Sequence, residues 1–200
     1  MFAPCSFTGE AEAEVLRCEK HERARHLISD HASSWRYHAI MTEQNLDHAN
    51  AAFWDEPCGV VFAGERGFDI SLRSGLDAFD EEYFRFYPYL QSSVRRTIEG
   101  ASSVVEVGLG LGTVSRFVAS QEVTYTGIDI ASGPCAFVEK SFNERGLNGS
   151  FLNRSILDDS IVTELPRLDA GIAIGSLHHT GNLEHAINNV ESMIRPNGRI

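Results

Sequence analysis

The chain has 200 residues, 42% of them hydrophobic, which suits one domain or a domain with an extension. Its 17 basic and 28 acidic side chains give a net charge of −11, and no basic stretch suggests the positive face of a nucleic-acid-binding protein, so DNA and RNA substrates are disfavoured. No run of about 18 apolar residues predicts a membrane span, and the N-terminus lacks the basic region of a signal peptide.

Cysteine and histidine spacing gives no sign of a metal site or of a disulfide framework. The four cysteines form no C-x-x-C pair, which favours free thiols in a reducing, cytoplasmic environment. They are Cys5, Cys18, Cys58 and Cys135. His21, His26 and His31 recur every five residues, unlike the i, i+4 spacing of a helical metal pair, so we predict a solvated helix face and no metal.

The first half of the chain is helix-prone and then aromatic. Residues 10–29 are charged with few apolar positions, whereas residues 77–89 carry six aromatic side chains. Between them, the segment FWDEPCG is rich in turn-forming residues. A helix from about Tyr89 to Glu99, ended by Gly100, is predicted next. We therefore predict a helical and aromatic cap over residues 1–87 and an α/β core over residues 88–200.

Residues 103–116, SVVEVGLGLGTVSR, are the most informative stretch of the chain. An apolar run leads into Glu106, then into glycines at positions 108, 110 and 112, and then into a helix-like segment. A buried strand that turns through glycines into a helix is typical of a nucleotide-binding corner. Gly108, Gly110 and Gly112 would allow the tight turn and a close approach of ligand to backbone.

The spacing of these glycines indicates which nucleotide is bound. A dinucleotide fingerprint starting at Gly108 needs glycine at position 113, which is Thr113, and the pattern is instead E-x-G-x-G-x-G. An acid so close to the turn suits a ligand with an ammonium group better than a pyrophosphate. The stretch resembles motif I of the class I S-adenosylmethionine-dependent methyltransferases, which implies that cofactor. Glu106 would bind its ammonium group or brace the glycine loop, and both readings stay open.

The next strand, in VTYTGIDI at residues 123–130, ends in an acid. Asp129 can accept hydrogen bonds from two ribose hydroxyls, and the resemblance implies that role, with Ile130 against the adenine. The alternative for Asp129 is an N-cap of the following helix. That helix is predicted from Ser132 to Gly146, and a short strand follows in SFLNRSILDD. The resemblance places Ser155 and Ile156 at the adenine rim, although an acid commonly stands at the position of Ser155.

A fourth strand, Ala170 to Ile174, is followed by the letters GSLHHT and an amphipathic helix. Ligands bind outside the carboxyl ends of the strands of such sheets, which is where His178 and His179 stand. Both are candidate catalytic residues, with His179 facing the site as a possible general base and His178 packing beside it. The alternative is that catalysis needs no base, because transfer follows from proximity alone.

The layout LHHT…L(R/K)P-G resembles a group of small class I methyltransferases, and the motifs together cover roughly residues 100–200. The resemblance implies a Rossmann-like, doubly wound, mostly parallel sheet and methyl transfer from S-adenosylmethionine to a small molecule. The asparagine-proline-proline-aromatic motif of amino-group methyltransferases is missing, which favours an oxygen or carbon acceptor. The rival hypotheses are an NAD(P)-dependent oxidoreductase and a non-catalytic binding module, and the oligomeric state stays open.

The resemblance also implies seven strands in the order 3-2-1-4-5-7-6. Four can be placed, near residues 103–107, 123–128, 150–153 and 168–174, and the fifth is predicted to begin at residues 199–200. On that reading, the chain is incomplete and the fourth strand is an exposed edge. Because an unpaired edge promotes association with other chains, we expect residues 1–200 alone to be marginally stable or associated.

Overall fold

The computed structural model describes residues 43–200, with side chains from residue 46 onward. Four predicted features lie outside the described residues: the charged segment 10–29, the three regularly spaced histidines, Cys5 and Cys18. About half of the predicted cap and all of the predicted core can therefore be compared with the structure.

In the described part of the chain, five strands form one sheet in which every pair is parallel, in the order β3-β2-β1-β4-β5. The strands are β1 (Ser103–Val107), β2 (Thr124–Asp129), β3 (Ser150–Asn153), β4 (Leu168–Ala173) and β5 (Ile194–Arg199). The strand order reverses between β1 and β4, and a ligand site is expected in the crevice at such a switch point.

Helices precede the sheet and then connect its strands. Among residues 43–200, the helices that precede it are α1 (Glu43–Phe53), α2 (Val60–Glu65), α3 (Arg73–Phe86) and α4 (Leu90–Thr97). The connecting helices are α5 (Thr113–Ala119), α6 (Ser132–Arg145), α7 (Ser160–Glu164), a 3-10 turn (Leu177–His179) and α8 (Leu183–Met193). This alternation of parallel strands and helices confirms the predicted Rossmann-like class.

The central strand β1 is apolar on both faces because helices cover both sides of the sheet. Val104 packs in a cluster with α4, α5 and α6, whereas Val105 and Val107 pack in a second cluster with α8. Val104 and Val105 are fully buried. The alternating directions of side chains along a strand send these neighbours to opposite cores, so the VVEV run fixes β1 at the centre of the sheet.

Two predicted helix ends are glycines, and the structure shows why. Gly146 follows α6 in the left-handed conformation at φ 65°, and its N–H donates to Asn143 and Phe142 carbonyls. Gly100 lies just beyond α4 at φ 73°. Left-handed backbone is nearly free of steric cost only for glycine, so these residues end the helices where the sequence predicted.

The fifth strand differs from the prediction. It begins at Ile194, directly after α8, and not at Arg199, so β4 is paired on both sides along part of its length. The expectation that β4 is an exposed edge is therefore wrong. Its pairing with β5 is irregular, with a register shift between Leu168 and Ala170.

The irregularity of β5 accompanies its Pro-Asn-Gly sequence, three residue types that are depleted in strands. Asn197 has φ 69°, a left-handed conformation that asparagine tolerates better than most residues. Arg195 forms an ion pair with Asp169 of β4 at 2.8 Å, and Arg199 donates two hydrogen bonds of 2.8 Å to the carbonyls of Arg96 and Glu99. Side-chain contacts thus hold a segment that backbone propensity alone disfavours as a strand.

The described part of the predicted cap packs on the core through α3. Phe79 of α3 is 1% exposed and clusters with Leu111 of the glycine loop. The boundary between residues 87 and 88 stays a prediction. Within residues 43–200, no helix combines the length and the apolar character that crossing a membrane would require.

Candidate functional site

The site lies at the carboxyl edge of the sheet, where the turns after β1, β2 and β4 meet. Ser176, after β4, donates a hydrogen bond from Oγ to the carbonyl of Val107 at 2.6 Å. Asp129, at the end of β2, accepts one from the N–H of Leu109 at 2.8 Å. The glycine loop after β1 is therefore tied to both neighbouring turns, at the switch point of the sheet.

All three loop glycines adopt positive φ, at 87° for Gly108, 50° for Gly110 and 76° for Gly112. Their neighbours are mainly protein atoms. A Cβ on Gly108 would overlap the side chain of Ser176, and one on Gly112 would lie 2.6 Å from Val138 Cγ2. At Gly110 it would lie 3.3 Å from the carbonyl oxygen of Cys58. The glycines thus let the loop pack closely against three other segments.

Asp129 is 8% exposed and its carboxylate organises two turns. Oδ2 accepts from the N–H of Leu109, and Oδ1 accepts from the N–H of Ala131 at 2.9 Å, at the start of α6. Burial raises the pKa of Asp129, and these two backbone hydrogen bonds oppose the rise. A carboxylate has about four acceptor positions, so capacity for ribose hydroxyls remains. The N-cap alternative also has support, since Ala131 directly precedes α6.

Glu106 is buried inside the sheet rather than at its edge. It is 3% exposed, and the hydroxyl of Tyr125 donates to its Oε2 at 2.6 Å. Burial raises the pKa of Glu106 to about 7, although the hydrogen bond from Tyr125 and the charge of Arg116 oppose the rise. The carboxyl group is thus poised near neutrality, where a nearby ammonium group would favour its ionised form.

This raised pKa predicts a pH-dependent stability. The carboxyl ionises near 4.5 in the unfolded chain and near 7 in the folded one, so between these values the folded state binds more protons and stability falls as the pH rises. The variant Glu106→Gln stays neutral and keeps an acceptor for Tyr125. By urea unfolding, it should match the parent near pH 4.5 and exceed its stability by up to about 3 kcal/mol at pH 8. Parallel pH curves for the two proteins would contradict the raised pKa.

The predicted adenine residues are not all at the surface of the cleft. Ile130 is partly buried, and Ser155 accepts on Oγ from the N–H of Leu157 at 3.1 Å. The side chain of Ile156 is 4% exposed and packs in the core beside α8. Only the backbone of Ile156 and the partly buried side chains of Ile130 and Ser155 are therefore open to a role at the cleft.

Two asparagines that the sequence analysis did not single out fix this region. Asn153 donates from Nδ2 to the carbonyls of Asp129, at 3.2 Å, and Ile130, at 2.8 Å. Asn189 of α8 is buried and donates to the carbonyl of Ile156 at 2.9 Å. Asn153 is the last residue of a short strand, as Asp129 is, and this position is a signal that the sequence offered. Asn189 lies within an amphipathic helix, and nothing about its position in the sequence predicted this contact.

His178 and His179 both lie at the carboxyl edge, after β4. Their ring centroids are 3.9 Å apart, and both residues are exposed. Partial burial and the neighbouring His178 lower the pKa of His179, so its imidazole is mainly neutral at pH 7. The two rings are in contact, so His178 packs beside His179, and which of the two faces the site stays a prediction.

A segment of the predicted cap crosses this edge, and we term residues 54–59 the crossing segment. Trp54 lies 4.9 Å from His179 between ring centroids. Asp55 accepts on Oδ1 from Ser132 Oγ at 2.8 Å and from the N–H of Gly133 at 3.0 Å. The carbonyl of Cys58 faces Gly110. The crossing segment thus touches the turns after β4, β2 and β1. Its turn-rich composition was noticed, but nothing local in sequence identifies these partners.

A buried ion pair connects α3 with the start of α5. Arg116 is 4% exposed and Asp80 18% exposed as side chains, and two hydrogen bonds of 2.7 and 2.5 Å join the guanidinium to the carboxylate. Thr113 also donates to Asp80 at 2.6 Å, and Arg116 donates to the carbonyl of Leu111 at 2.7 Å. The pair therefore holds the end of the glycine loop and the start of α5 against α3. Asp80 and Arg116 each lie within a helix, and neither position in the sequence predicted that the two residues pair.

Within the described residues, Cys58, which is exposed, and Cys135, which is buried, form no disulfide. Between residues 43 and 200, no three histidine, cysteine or acidic side chains come together in a way that could hold a metal ion.

Similarity to known proteins agrees with this geometry. Residues 105–200 match the model of the methyltransferase domain family. This match covers just under half of the chain and agrees with the predicted methyltransferase domain. No curated protein is significantly similar to the chain in sequence.

Solved structures with this fold are distant in sequence. The PH0226 protein from Pyrococcus horikoshii OT3 is 20% identical, with a TM-score of 0.52 over 65% of this chain and 57% of that one. An O-methyltransferase family protein from Burkholderia thailandensis is 17% identical, with a TM-score of 0.50 over 64% and 41% of the two chains. At such identities the likeness shows the fold. The chain spans 41–61% of the length of the first eight structures that it matches.

Proposed function

We propose that this chain, with a methyltransferase domain at residues 105–200, transfers a methyl group from S-adenosylmethionine to a small molecule at oxygen or carbon. The observation that carries the proposal is the meeting of three features at one edge of the sheet. The glycine loop, Asp129 and the pair His178–His179 follow β1, β2 and β4, on both sides of the switch point.

Each part of this edge has a separate task in the proposal. The cofactor supplies an electrophilic methyl group on its sulfonium. Asp129 accepts hydrogen bonds from the ribose, Ile130 and the turn around Ser155 and Ile156 border the adenine, and Gly108, Gly110 and Gly112 shape the loop beside the amino-acid portion. The buried carboxylate of Glu106 attracts the ammonium group electrostatically across the glycine loop. The protein then holds acceptor and donor in line, which removes much of the entropic barrier.

The acceptor is proposed to lie against His178 and His179. An imidazole that is neutral at pH 7 can take a proton from an acidic hydroxyl or carbon acid as the methyl group arrives. An amine acceptor needs no such base when it reacts as the free amine. A neutral imidazole beside the acceptor, with GSLHH in place of the amino-group motif, favours an oxygen or carbon acceptor. The letters LHHT favour a place among the small methyltransferases that carry them.

The first test is cofactor preference by isothermal titration calorimetry. We expect S-adenosylhomocysteine to bind to the full chain and NAD and NADP not to bind comparably, because no glycine pattern supports a pyrophosphate. Asp129→Asn retains the shape but loses the charge of the carboxylate, so affinity should fall about tenfold. Preferential binding of NAD would refute the proposal. Cofactor binding without turnover on any oxygen, carbon or nitrogen acceptor would favour the non-catalytic module.

The second test is the pH profile of turnover. With His179 as the base, activity falls where its imidazole becomes protonated, below the ordinary histidine value of about 6.5 because burial and His178 lower its pKa. Since His178 contributes to that lowering, His178→Gln should move the acidic limb of kcat to higher pH. His185→Gln, at a histidine on α8 paired with Asp159, is the matched control and should leave the limb in place. An unmoved limb in both variants would remove His179 as the base.

A further inference from the structure

The crossing segment makes contacts that join three turns of the sheet edge, although it is only six residues long. Its first end lies at the turn after β4, through Trp54 and His179, and α1 reinforces this end because Asn50 donates to the carbonyl of His179 at 2.8 Å. Its far end lies over the glycine loop, where the carbonyl of Cys58 approaches Gly110. A segment in this position lies above the crevice in which the cofactor is proposed to bind.

Between these ends, the side chain of Asp55 attaches the segment to the beginning of α6. Its Oδ1 accepts two hydrogen bonds, from the hydroxyl of Ser132 and from the N–H of Gly133. The start of a helix has unpaired N–H groups and a partial positive charge, so a carboxylate is favoured there. The residue directly before α6 is Ala131, which has no side-chain acceptor, so Asp55 supplies from a distant segment what a local cap would supply.

Gly133 shows that the backbone of the segment also fits closely against α6. A Cβ at this position would overlap the carbonyl oxygen of Asp55, although Gly133 lies inside a helix, where glycine is otherwise unfavourable. The glycine therefore gives room for the crossing segment. Both the side chain and the backbone of Asp55 are thus fitted to the same helix start.

We infer that Asp55 is a positioning residue that latches the crossing segment over the cofactor crevice, so that release of Asp55 from α6 sets the rate of cofactor exchange. The inference rests on the proposed function. Asp55 is exposed, so water can replace its hydrogen bonds when it leaves, and opening needs no large rearrangement of the sheet. Movements of such loops commonly limit ligand release.

The test compares Asp55→Ala and Gly133→Ala with the parent protein. Stopped-flow tryptophan fluorescence, with Trp54 as reporter in a Trp35→Phe background, measures the rate constants for S-adenosylhomocysteine. Each variant should raise the association and dissociation rate constants together, by at least about tenfold, with little change in Kd. Hydrogen exchange should also accelerate at the amide of Val60, which donates to Pro57 at the far end of the segment. Gly133→Ala keeps Asp55, so it tests the latch if Asp55→Ala folds poorly.

Asp69→Ala is the matched control. Asp69 accepts from the N–H and hydroxyl of Ser71 at 3.1 and 2.5 Å, as Asp55 does from α6. Because Asp69 precedes α3 and not α6, its replacement should leave the rate constants for S-adenosylhomocysteine and hydrogen exchange at Val60 unchanged. Hydrogen exchange that accelerates only at the amide of Gly133, with unchanged rate constants for S-adenosylhomocysteine, would show that Asp55 only caps α6. That result would overturn the inference. If hydrogen exchange at the Val60 amide accelerates but S-adenosylhomocysteine binds to neither the parent nor the variants, the proposed function is overturned. The attachment of the crossing segment by Asp55 would still be supported.

Discussion

Replacing Asp80 with leucine is expected to lower the free energy of unfolding by about 3–5 kcal/mol. The change leaves the guanidinium of Arg116, which is 4% exposed, without its charged partner. Among the described residues, only the carbonyl of Leu111 at 2.7 Å and the hydroxyl of Ser141 at 3.4 Å would remain as acceptors. An unpaired buried charge costs far more than the net value of the pair itself. Urea unfolding measures the loss, and calorimetry should show weaker S-adenosylhomocysteine binding because Thr113 also loses its acceptor.

Two further variants make this prediction specific. Adding Arg116→Met to Asp80→Leu removes the unpaired charge and should restore most of the lost stability. Glu144→Leu removes an exposed carboxylate that pairs with Lys140 at 3.7 Å on α6, and such a pair is worth at most about 1 kcal/mol. If Asp80→Leu were no more destabilising than Glu144→Leu, the pair would not hold α3 to the core.

Gly108→Ala is expected to destabilise the chain by about 2–5 kcal/mol and to abolish measurable cofactor binding. Part of the cost is a left-handed backbone at φ 87° with a side chain. The larger part is steric, since the new Cβ would overlap the Cβ of Ser176 and lie 2.9 Å from its Oγ. Displacing Ser176 would also break its hydrogen bond to Val107 and separate the turns after β1 and β4.

Gly100→Ala separates the two causes. Gly100 has a similar φ of 73°, but a Cβ there meets nothing within 4 Å, so its cost should be backbone strain alone, roughly 1–2 kcal/mol, with cofactor affinity unchanged. Adding Ser176→Gly to Gly108→Ala should recover the steric part and leave a deficit like that of Gly100→Ala. Thermal unfolding and calorimetry on the four proteins would refute the packing argument if Gly108→Ala and Gly100→Ala behaved alike.

The local sequence pattern was sufficient to predict the elements that form the core of the fold. The apolar strand before the glycines, the acid that ends β2 and the glycine that ends α6 depend on neighbours in sequence, and all three are found where the sequence predicted them. Their order along the chain also predicted the parallel sheet, because alternating strands and helices have few ways to pack. The sequence by itself therefore determined the fold class and which turns meet at the carboxyl edge of the sheet.

Tertiary structure decided what those residues touch. The sequence could not show that Tyr125 caps Glu106, that Asp80 pairs with Arg116 or that Asp55 reaches α6, because 19, 36 and 77 or more residues separate the partners along the chain. It also misplaced β5, since Pro-Asn-Gly disfavours a strand locally and the ion pair between Arg195 and Asp169 favours one. Periodicity is a local property, so it can be read from neighbouring residues in the sequence. The partners of a buried charge depend instead on which segments the completed sheet brings together.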